Sequence, residues 1–361
     1  MSASSARLEG AGGASGRMSA SGDLALAAFA ASTGAHVVAA PRTIRFRAFL
    51  DSFDGSRFAA DLAGRGFRFV GRSEPGFPPL LNAIHDPPPG LFLRGSGGVE
   101  ILAATAVAIV GARACSAYGA AVARMLGREL AAAGAVVVSG LARGIDAEAH
   151  RGALEASGGI TVAVLGCGID RDYPAAHSEL ARRIGERGLV VSEYAPGVEP
   201  APWRFPARNR IISGFARATV VVEAREASGA LITADFALEE GREVFAVPGE
   251  ITSALSAGTN ALLRLGATPL TAAADVLEAL GLAPPEAPRI ELGTDAEAVL
   301  ELLRDGPASA DALTRASGLE AGAVGAALVE LELAGVVAEG AGVYRAVKRR
   351  AEIMRERQEP M

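Results

Sequence analysis

The amino-acid sequence predicts an α/β protein with a doubly wound, mostly parallel sheet. From about Ala106 to Leu282, short runs rich in Val and Ile alternate with Ala-rich amphipathic stretches. Short apolar runs bounded by glycine are typical of strands that are buried on both faces. The amphipathic stretches supply the helical crossovers that parallel pairing requires. The alternation therefore predicts at least six strands with helices on both faces of the sheet.

The predicted strands are, in chain order, AVAIVGA, AVVVSG, ITVAVLGCG, LVVSE, ATVVVEA and REVFAVPG. The predicted helices between and after them include YGAAVARMLGRELAAAG, IDAEAHRGALEASG, AHSELARRIGERG, LITADFALEEG, TNALLRLGA and ADVLEALG. Each strand is thus followed by a segment long enough to return to the same end of the sheet.

The segments before the sheet differ from it in composition. Residues 1–22 are rich in Ser, Gly and Ala and are expected to be a disordered leader, within which Met18 is an alternative start. Residues 23–72 are expected to form a small helical N-terminal region. The Pro-rich stretch from Glu74 to Gly95 cannot continue a helix and is expected to be an extended connection. The sheet domain itself is assigned to residues 73–282.

The segments after the sheet predict a second, smaller domain. Residues 283–289 (APPEAPR) have the composition of a linker. Residues 290–347 predict three short helices and a β-hairpin, which is the arrangement of a winged-helix-like domain. Residues 348–361 form a charged tail.

Composition excludes several classes of protein. With 50% apolar and 21% charged residues, the chain is neither collagen-like, nor a coiled coil, nor wholly disordered. Its net charge of −6 argues against a protein that is basic throughout, but it leaves room for a local basic groove. Among its 35 cations only Lys348 is lysine, so contacts between cationic side chains and phosphates should be made by arginine.

Cysteine use and hydropathy bear on where the protein works. Cys115 and Cys167 are too few for a disulfide framework and lack the spacing of a zinc site. The N-terminus has no apolar signal-peptide core, and no apolar stretch reaches the roughly 18 residues that span a bilayer. We therefore expect a cytoplasmic protein with no membrane partner.

Candidate binding residues follow the predicted strands, where a parallel sheet presents N–H groups and helix N-termini to anions. Gly111 and Arg113 follow the first predicted strand. Glycine permits the close approach of a phosphate, and a guanidinium can donate two hydrogen bonds to it. A tight turn with a solvated arginine is the alternative interpretation.

Two further strand ends carry residues of the same kind. Ser139, Gly140 and Arg143 follow the second predicted strand. Ser228 and Gly229 open a later helix, with Ser228 as its N-cap and free N–H groups beside it. These loops are therefore expected to add phosphate contacts.

The densest cluster of candidate residues lies between Trp203 and Gly214. Arginine, aromatic and amide side chains alternate here, and the cluster suits an unpaired nucleic-acid strand whose bases stack on rings while arginines hold its phosphates. A solvated helix start with an aromatic plug is the alternative. The candidates are Arg204, Phe205, Arg208, Asn209 and Arg210.

No catalytic arrangement is visible in the sequence. Asp146 is expected to be a helix N-cap rather than a catalyst, and His150 a buried, satisfied histidine. Cys167 has no base at useful spacing. Glu223 at a strand end is as consistent with a structural role as with a catalytic one. The sequence thus predicts no catalytic residue, no metal site and no cofactor, but a site for a phosphate-rich ligand.

An ordered series of motifs, from about Phe77 to Leu280, resembles the DNA-processing protein A family (DprA, also called Smf). The series is GAR, SGLARGIDAEAH, VLGCGIDRDYP, SEY, FPARNRIISG, VVVEA, SGALITADFALEEGREVFAVPG and GTNALLRLGA. The winged-helix-like segment fits the C-terminal domain that is common in this family. Ala112 and Ala230 stand where the family has a hydroxyl residue, so the phosphate contacts there are expected from the backbone alone.

The resemblance implies an extended Rossmann-like fold that dimerises and has no known enzymatic activity. It also implies a protein of natural transformation and homologous recombination that binds and protects incoming single-stranded DNA and loads the RecA recombinase onto it. By similarity, the DNA pocket includes Gly111, Arg113, the FPARNR segment and the start of the SGALIT helix.

Alternative functions remain open at this point. A nucleotide or phosphoribosyl-processing enzyme on a related Rossmann-like fold is one, although its Pro-Gly-Gly-x-Gly-Thr loop is reduced here to Pro248-Gly249-Glu250. A transcriptional regulator is another. Its predicted recognition helix carries Glu330 and Glu332 and no cation, which disfavours contact with duplex phosphates.

Overall fold

The computed structural model describes residues 20–33, 43–284, 292–334, 336–340 and 342–346. These residues divide into two units after Ala283. The helices of the first unit are α1 (Ala20–Thr33), α2 (Ile44–Ser52), α3 (Gly55–Gly64), α4 (Pro79–Asn82), α5 (Ala117–Ala132), α6 (Ile145–Glu155), α7 (Ser178–Arg187), α8 (Arg204–Phe215), α9 (Gly229–Glu239), α10 (Ala257–Arg264) and α11 (Ala273–Leu280). Its strands are β1 (Phe67–Gly71), β2 (Gly90–Arg94), β3 (Ala106–Val110), β4 (Val136–Ser139), β5 (Thr161–Val164), β6 (Leu189–Ser192), β7 (Ala218–Val221), β8 (Glu243–Ala246) and β9 (Thr268–Pro269).

All these strands join one sheet, in the order β1-β2-β6-β5-β4-β3-β7-β8-β9. Strands β3 to β9 pair in parallel, whereas β2 is antiparallel to both β1 and β6. The predicted doubly wound, mostly parallel sheet is therefore confirmed. Its strand order reverses beside β3, where β4 lies on one side and β7 on the other, and such a switch point is where open α/β sheets bind their ligands.

Alternate residues of β3 pack into different layers because successive side chains of a strand point to opposite faces. Ala108 and Val110 join an apolar cluster with Ile211 and Ala234, from α8 and α9. The intervening Ile109 joins a cluster formed with α5 and α6. Burial on both faces explains why the strands appear in the sequence as continuous Val-rich and Ile-rich runs.

The N-terminal region differs from its expected form. Helix α1 begins at Ala20, inside the predicted leader, and β1 occupies residues 67–71, which were expected to be helical. The Pro-rich stretch is not a plain extended connection either, since it contains α4 and β2. β1 and β2 form an antiparallel pair at the edge of the sheet, and this pairing stabilises segments whose own patterning is weak.

The second unit contains α12 (Thr294–Asp305), α13 (Ala310–Ser317), α14 (Ala321–Leu333) and the antiparallel pair β10 (Val337–Gly340) and β11 (Val343–Ala346). Its core includes Val299, Leu313 and Leu328. The predicted winged-helix domain is thus confirmed. The carboxylate of Glu330 accepts a hydrogen bond from the main-chain N–H of Gly293 at 2.8 Å, which ties α14 to the start of α12.

Several predicted segments lie wholly or partly outside the described residues. They are most of the leader at 1–22, including Met18, most of the linker at 283–289, and the tail at 348–361. Within the described ranges, none of the helices combines the length and the apolar character needed to cross a membrane.

Candidate nucleic-acid interface

A pocket of about 350 Å³ opens at the carboxyl edge of the sheet, at the switch point beside β3. Its walls come from the loops that follow β3, β4 and β7 and from the first turns of α8 and α9. The sequence candidates that line it are Gly111, Arg113, Phe205, Arg208, Asn209, Ser228 and Gly229. Tertiary folding therefore brings together residues that are more than 100 positions apart in the chain.

The loop after β3 is held by Glu223, at the end of β7. The main-chain carbonyl of Glu223 accepts from the N–H of Ala112 at 2.7 Å. Its buried carboxylate accepts from both the N–H and the hydroxyl of Ser116, with the N–H at 2.9 Å. Both carboxylate oxygens are thus engaged, and the contacts assign Glu223 a structural role in shaping the loop that carries Arg113.

The guanidinium of Arg113 is exposed at the mouth of the pocket. Its central carbon lies 5.5 Å from the centre of the Phe205 ring, at the upper limit of a cation–π contact. The ring of Tyr173 stacks on Phe205, with 5.0 Å between centroids and 28° between planes. Arg113 is therefore both free to bind an anion and positioned beside an aromatic surface.

Arg208 lies at the floor of the pocket and is almost fully buried. Its Nη1 donates to the main-chain carbonyls of Gly140, at 2.9 Å, and Val164, which links the ends of β4 and β5 to α8. Burial lowers the pKa of Arg208 to about 10, so the side chain remains charged at neutral pH. A β-carbon at Gly140 would lie 2.5 Å from this guanidinium, so a side chain there would displace Arg208 from its position.

Asp146 faces the same pocket, but not in the expected role. The N-cap of α6 is Gly144, and the carboxylate of Asp146 instead accepts from the main-chain N–H groups of Gly140 at 3.1 Å and Ala142 at 3.4 Å. Burial raises the pKa of Asp146, while the charge of Arg208 and these N–H donors act in the opposite direction. Arg208 therefore offsets a buried carboxylate as well as satisfying two carbonyls.

The amino end of α9 forms the opposite wall. The hydroxyl of Ser228 caps this helix by accepting from the N–H of Ala230 at 3.3 Å, and the amide of Asn209 donates to the carbonyl of Gly229 at 3.1 Å. Arg225, which sequence reasoning missed, lines the same wall and is exposed. Arg225 lies in the loop after β7, in a chain where nearly every cation is arginine. This position after a predicted strand is the sequence signal that could have identified it.

The other candidates do not line the pocket. The hydroxyl of fully buried Ser139 donates to the carbonyl of Ile109 at 2.6 Å, so Ser139 is unavailable to a ligand. Arg210 pairs with Glu193 at 2.7 Å and Asp86 at 3.2 Å, so its charge is already balanced. Gly140 lies behind Arg208, whereas Arg143 and Arg204 lie outside the pocket lining.

His150 and Cys167 are both fully buried. The Nδ1 atom of His150 is 2.7 Å from the hydroxyl of Thr161, but its Nε2 atom has no hydrogen-bond partner, so the expected satisfied histidine is only half satisfied. Burial raises the pKa of Cys167 to about 11, which leaves the thiol protonated at neutral pH. Across the described part of the chain, no group of His, Cys, Asp and Glu could hold a metal ion.

Replacing His150 by leucine should make the free energy of unfolding depend less on pH between about 3 and 6.5. Burial, followed by the charges of His177 and Arg208, lowers the pKa of His150 from 6.5 to about 3. The unfolded chain therefore binds one more proton than the folded chain between these pH values. This proton removes about 1.4 kcal/mol of stability per pH unit as the pH falls. Urea unfolding of both proteins at pH 7, 6, 5 and 4 measures the difference, and parallel profiles would contradict the prediction.

Comparison with known proteins adds two family matches. The profile of the family described as DNA recombination-mediator protein A matches residues 68–281. The profile of the DprA winged helix domain matches residues 283–342. The first match alone covers more than half of the chain and includes every residue that lines the pocket.

Similar proteins and structures agree with these matches. The chain is 47% identical over 205 residues to the DNA processing protein DprA of Streptococcus pneumoniae, which covers 56% of this chain and 70% of that protein. It is 38% identical over 291 residues to the protein Smf of Escherichia coli, which covers 77% of each. The X-ray structure of the S. pneumoniae protein gives a TM-score of 0.59 at 42% identity, over 64% of this chain and 80% of that one. A structure of DNA processing protein A from Helicobacter pylori, described for its single-stranded DNA binding mode, gives 0.54 at 30% identity, over 59% and 95%.

Proposed function

The chain belongs to the DprA/Smf family of DNA recombination-mediator proteins, and from this premise we propose that it binds single-stranded DNA in the pocket beside β3. The exposed guanidinium of Arg113, placed above Phe205 and opposite the amino end of α9, is the observation that carries the proposal. Cation, aromatic ring and helix N-terminus together suit a phosphate and its neighbouring base. The similarity to the H. pylori protein, whose structure is described for its single-stranded DNA binding mode, supports the same ligand.

Binding rather than catalysis is the function that the contacts favour. The carboxylates at this edge, Asp146 and Glu223, are engaged by main-chain N–H groups and by Ser116. The hydroxyl that contacts Glu223, that of Ser116, does not line the pocket, and among the described residues neither carboxylate is hydrogen-bonded to a second carboxylate. Release of free base from a nucleoside monophosphate would favour the alternative, a nucleotide or phosphoribosyl-processing enzyme.

Replacing Arg113 by alanine should weaken binding of a labelled oligothymidylate by about fivefold or more, because one charged hydrogen bond to phosphate is lost. The slope of log affinity against log salt should become shallower by about 0.7, the value for one phosphate of a single strand. Fluorescence anisotropy at several salt concentrations measures both quantities.

A matched control is Arg128→Ala, which removes an exposed arginine from α5 that does not line the pocket. Its affinity and salt slope should equal those of the wild-type protein. Equal affinity of the Arg113→Ala and wild-type proteins would overturn the assignment of the pocket. Preference for duplex DNA in the same assay would instead favour a transcriptional regulator.

Membership of the family also suggests which proteins the chain contacts when single-stranded DNA is bound. We propose that the protein forms a homodimer through its Rossmann-like domain, protects incoming single strands in the cytoplasm, and loads the RecA recombinase onto them. Crosslinking of the full chain with RecA should then depend on single-stranded DNA. Crosslinking that is equal with and without DNA would contradict loading, and a monomer by sedimentation would contradict the dimer.

A further inference from the structure

The start of α8 carries two separate aromatic–arginine stacks. The first, formed by Arg113, Phe205 and Tyr173, belongs to the mouth of the pocket. The second lies outside the pocket lining and consists of Trp203, Arg204 and Tyr194. A single sequence cluster is thereby divided by the fold into an inner and an outer surface.

The outer stack is held in place before any ligand arrives. The guanidinium carbon of Arg204 lies 4.8 Å from the ring centre of Trp203 and 5.2 Å from that of Tyr194. Arg204 also donates a hydrogen bond from Nη1 to the main-chain carbonyl of Glu199. Because Arg204 is fixed by these contacts, the ring of Trp203 is positioned at little further cost in side-chain entropy.

Trp203 remains 55% exposed although Arg204 packs against it, and Tyr173 remains 44% exposed although it stacks on Phe205. Large aromatic surfaces left exposed near a ligand pocket are typical of interaction sites. The side chain of Trp203, the N-cap residue of α8, makes no capping hydrogen bond. The N–H of Arg204 donates to the carbonyl of Ala201 at 3.0 Å and Pro206 has no N–H, so this helix end attracts a phosphate chiefly through the helix dipole.

We propose that Trp203 is a base-stacking platform for the single strand as it leaves the pocket, with the phosphate between the two stacked positions passing over the N-terminus of α8. The inference rests on the proposed function and adds a second, outer subsite to it. The occupant is a nucleobase of the same strand, since a base offers a flat π-face to the ring while arginines and the helix end match its phosphates. Tyr173, which stacks on Phe205, belongs to the inner subsite.

Tryptophan fluorescence reports on the contacts of Trp203 alone, because Trp203 is the only tryptophan of the chain. Titration of the full chain with oligothymidylates of increasing length should quench its fluorescence once the strand extends beyond the pocket. An oligomer of equal length with abasic positions beyond the pocket keeps the phosphates and removes the bases. It should bind without this quenching.

Replacing Trp203 by alanine should weaken binding of the long oligothymidylate by about 5- to 10-fold, the lower part of the range for one stacked base. Trp203→Phe, which keeps a flat ring, should retain most of the affinity. Leu333→Ala, which removes an exposed apolar side chain from the second unit, should leave the affinity unchanged. For the abasic oligomer, the Trp203→Ala and wild-type proteins should bind equally.

The outcomes separate this inference from the proposed function. If the wild-type chain binds the strand while Trp203→Ala is unchanged and fluorescence does not respond, the platform is overturned and the pocket stands. If the wild-type chain does not bind at all, both are overturned. If Trp203 fluorescence changes with protein concentration alone, the ring covers a second copy of the chain, and that result also overturns the platform.

Discussion

Replacing Arg208 by methionine should lower the free energy of unfolding by about 2–6 kcal/mol, because each of two buried carbonyls would lose a donor at a cost of about 1–3 kcal/mol. Methionine fills similar space but leaves the carbonyls of Gly140 and Val164 without their shared donor. It also removes the cation that offsets the buried carboxylate of Asp146. DNA binding should be lost as well, because Arg208 holds the floor of the pocket together.

The destabilisation should depend on pH in a defined direction. Without Arg208 the pKa of Asp146 rises further above that of the unfolded chain, so the folded protein binds the additional proton. The bound proton stabilises the folded protein at low pH, and this stabilisation is lost as the pH rises. The difference in free energy of unfolding between wild-type and Arg208→Met proteins should therefore be larger at pH 8 than at pH 5.

Urea unfolding of the single and double variants provides the measurement. Adding Asp146→Asn to Arg208→Met should recover part of the lost stability, since the uncompensated charge is then absent. Additive effects of the two substitutions would show that the charge of Arg208 does not act on Asp146, and a loss below about 1 kcal/mol for Arg208→Met would contradict its role in the floor of the pocket.

Replacing Gly144 by alanine should destabilise the protein by about 3 kcal/mol or more and should abolish single-strand binding. Gly144 precedes α6 at φ +73° and ψ −127°, a conformation that other residues adopt only with strain. A β-carbon would also lie 2.3 Å from the carbonyl oxygen of Ala112 and 2.8 Å from that of Arg113. Both atoms belong to the main chain of the loop after β3, so this wall of the pocket must move.

Gly158→Ala is a control for a β-carbon placed at positive φ without a steric clash. Gly158 has φ +67°, and a β-carbon there would meet no atom within 4 Å. We expect this substitution to cost about 1 kcal/mol and to leave DNA binding intact. Equal losses of stability for the two variants, or wild-type DNA binding by Gly144→Ala, would contradict the proposed clash with the loop that carries Arg113.

The parallel sheet could be predicted because its strands are buried on both faces and therefore appear as uninterrupted apolar runs between glycines. The edge pair of β1 and β2 could not. Residues 67–71 follow a helical segment, and residues 90–94 lie in a Pro-rich stretch. β1 is a strand because it pairs with β2, and β2 pairs in addition with β6, which is distant in the chain.

Sequence alone determined where the candidate binding edge lies and which residue types meet there, because parallel strands place their carboxyl ends on one side of the sheet. Only the tertiary structure decided what each arginine does. Arg208 and Arg210 are two residues apart on α8, and a helix turns about 200° over that distance, so their side chains diverge. One reaches the carbonyls of Gly140 and Val164, and the other reaches Asp86 and Glu193. Most of those partners are distant in sequence, so the local spacing of the arginines cannot show which of them remains available to a ligand.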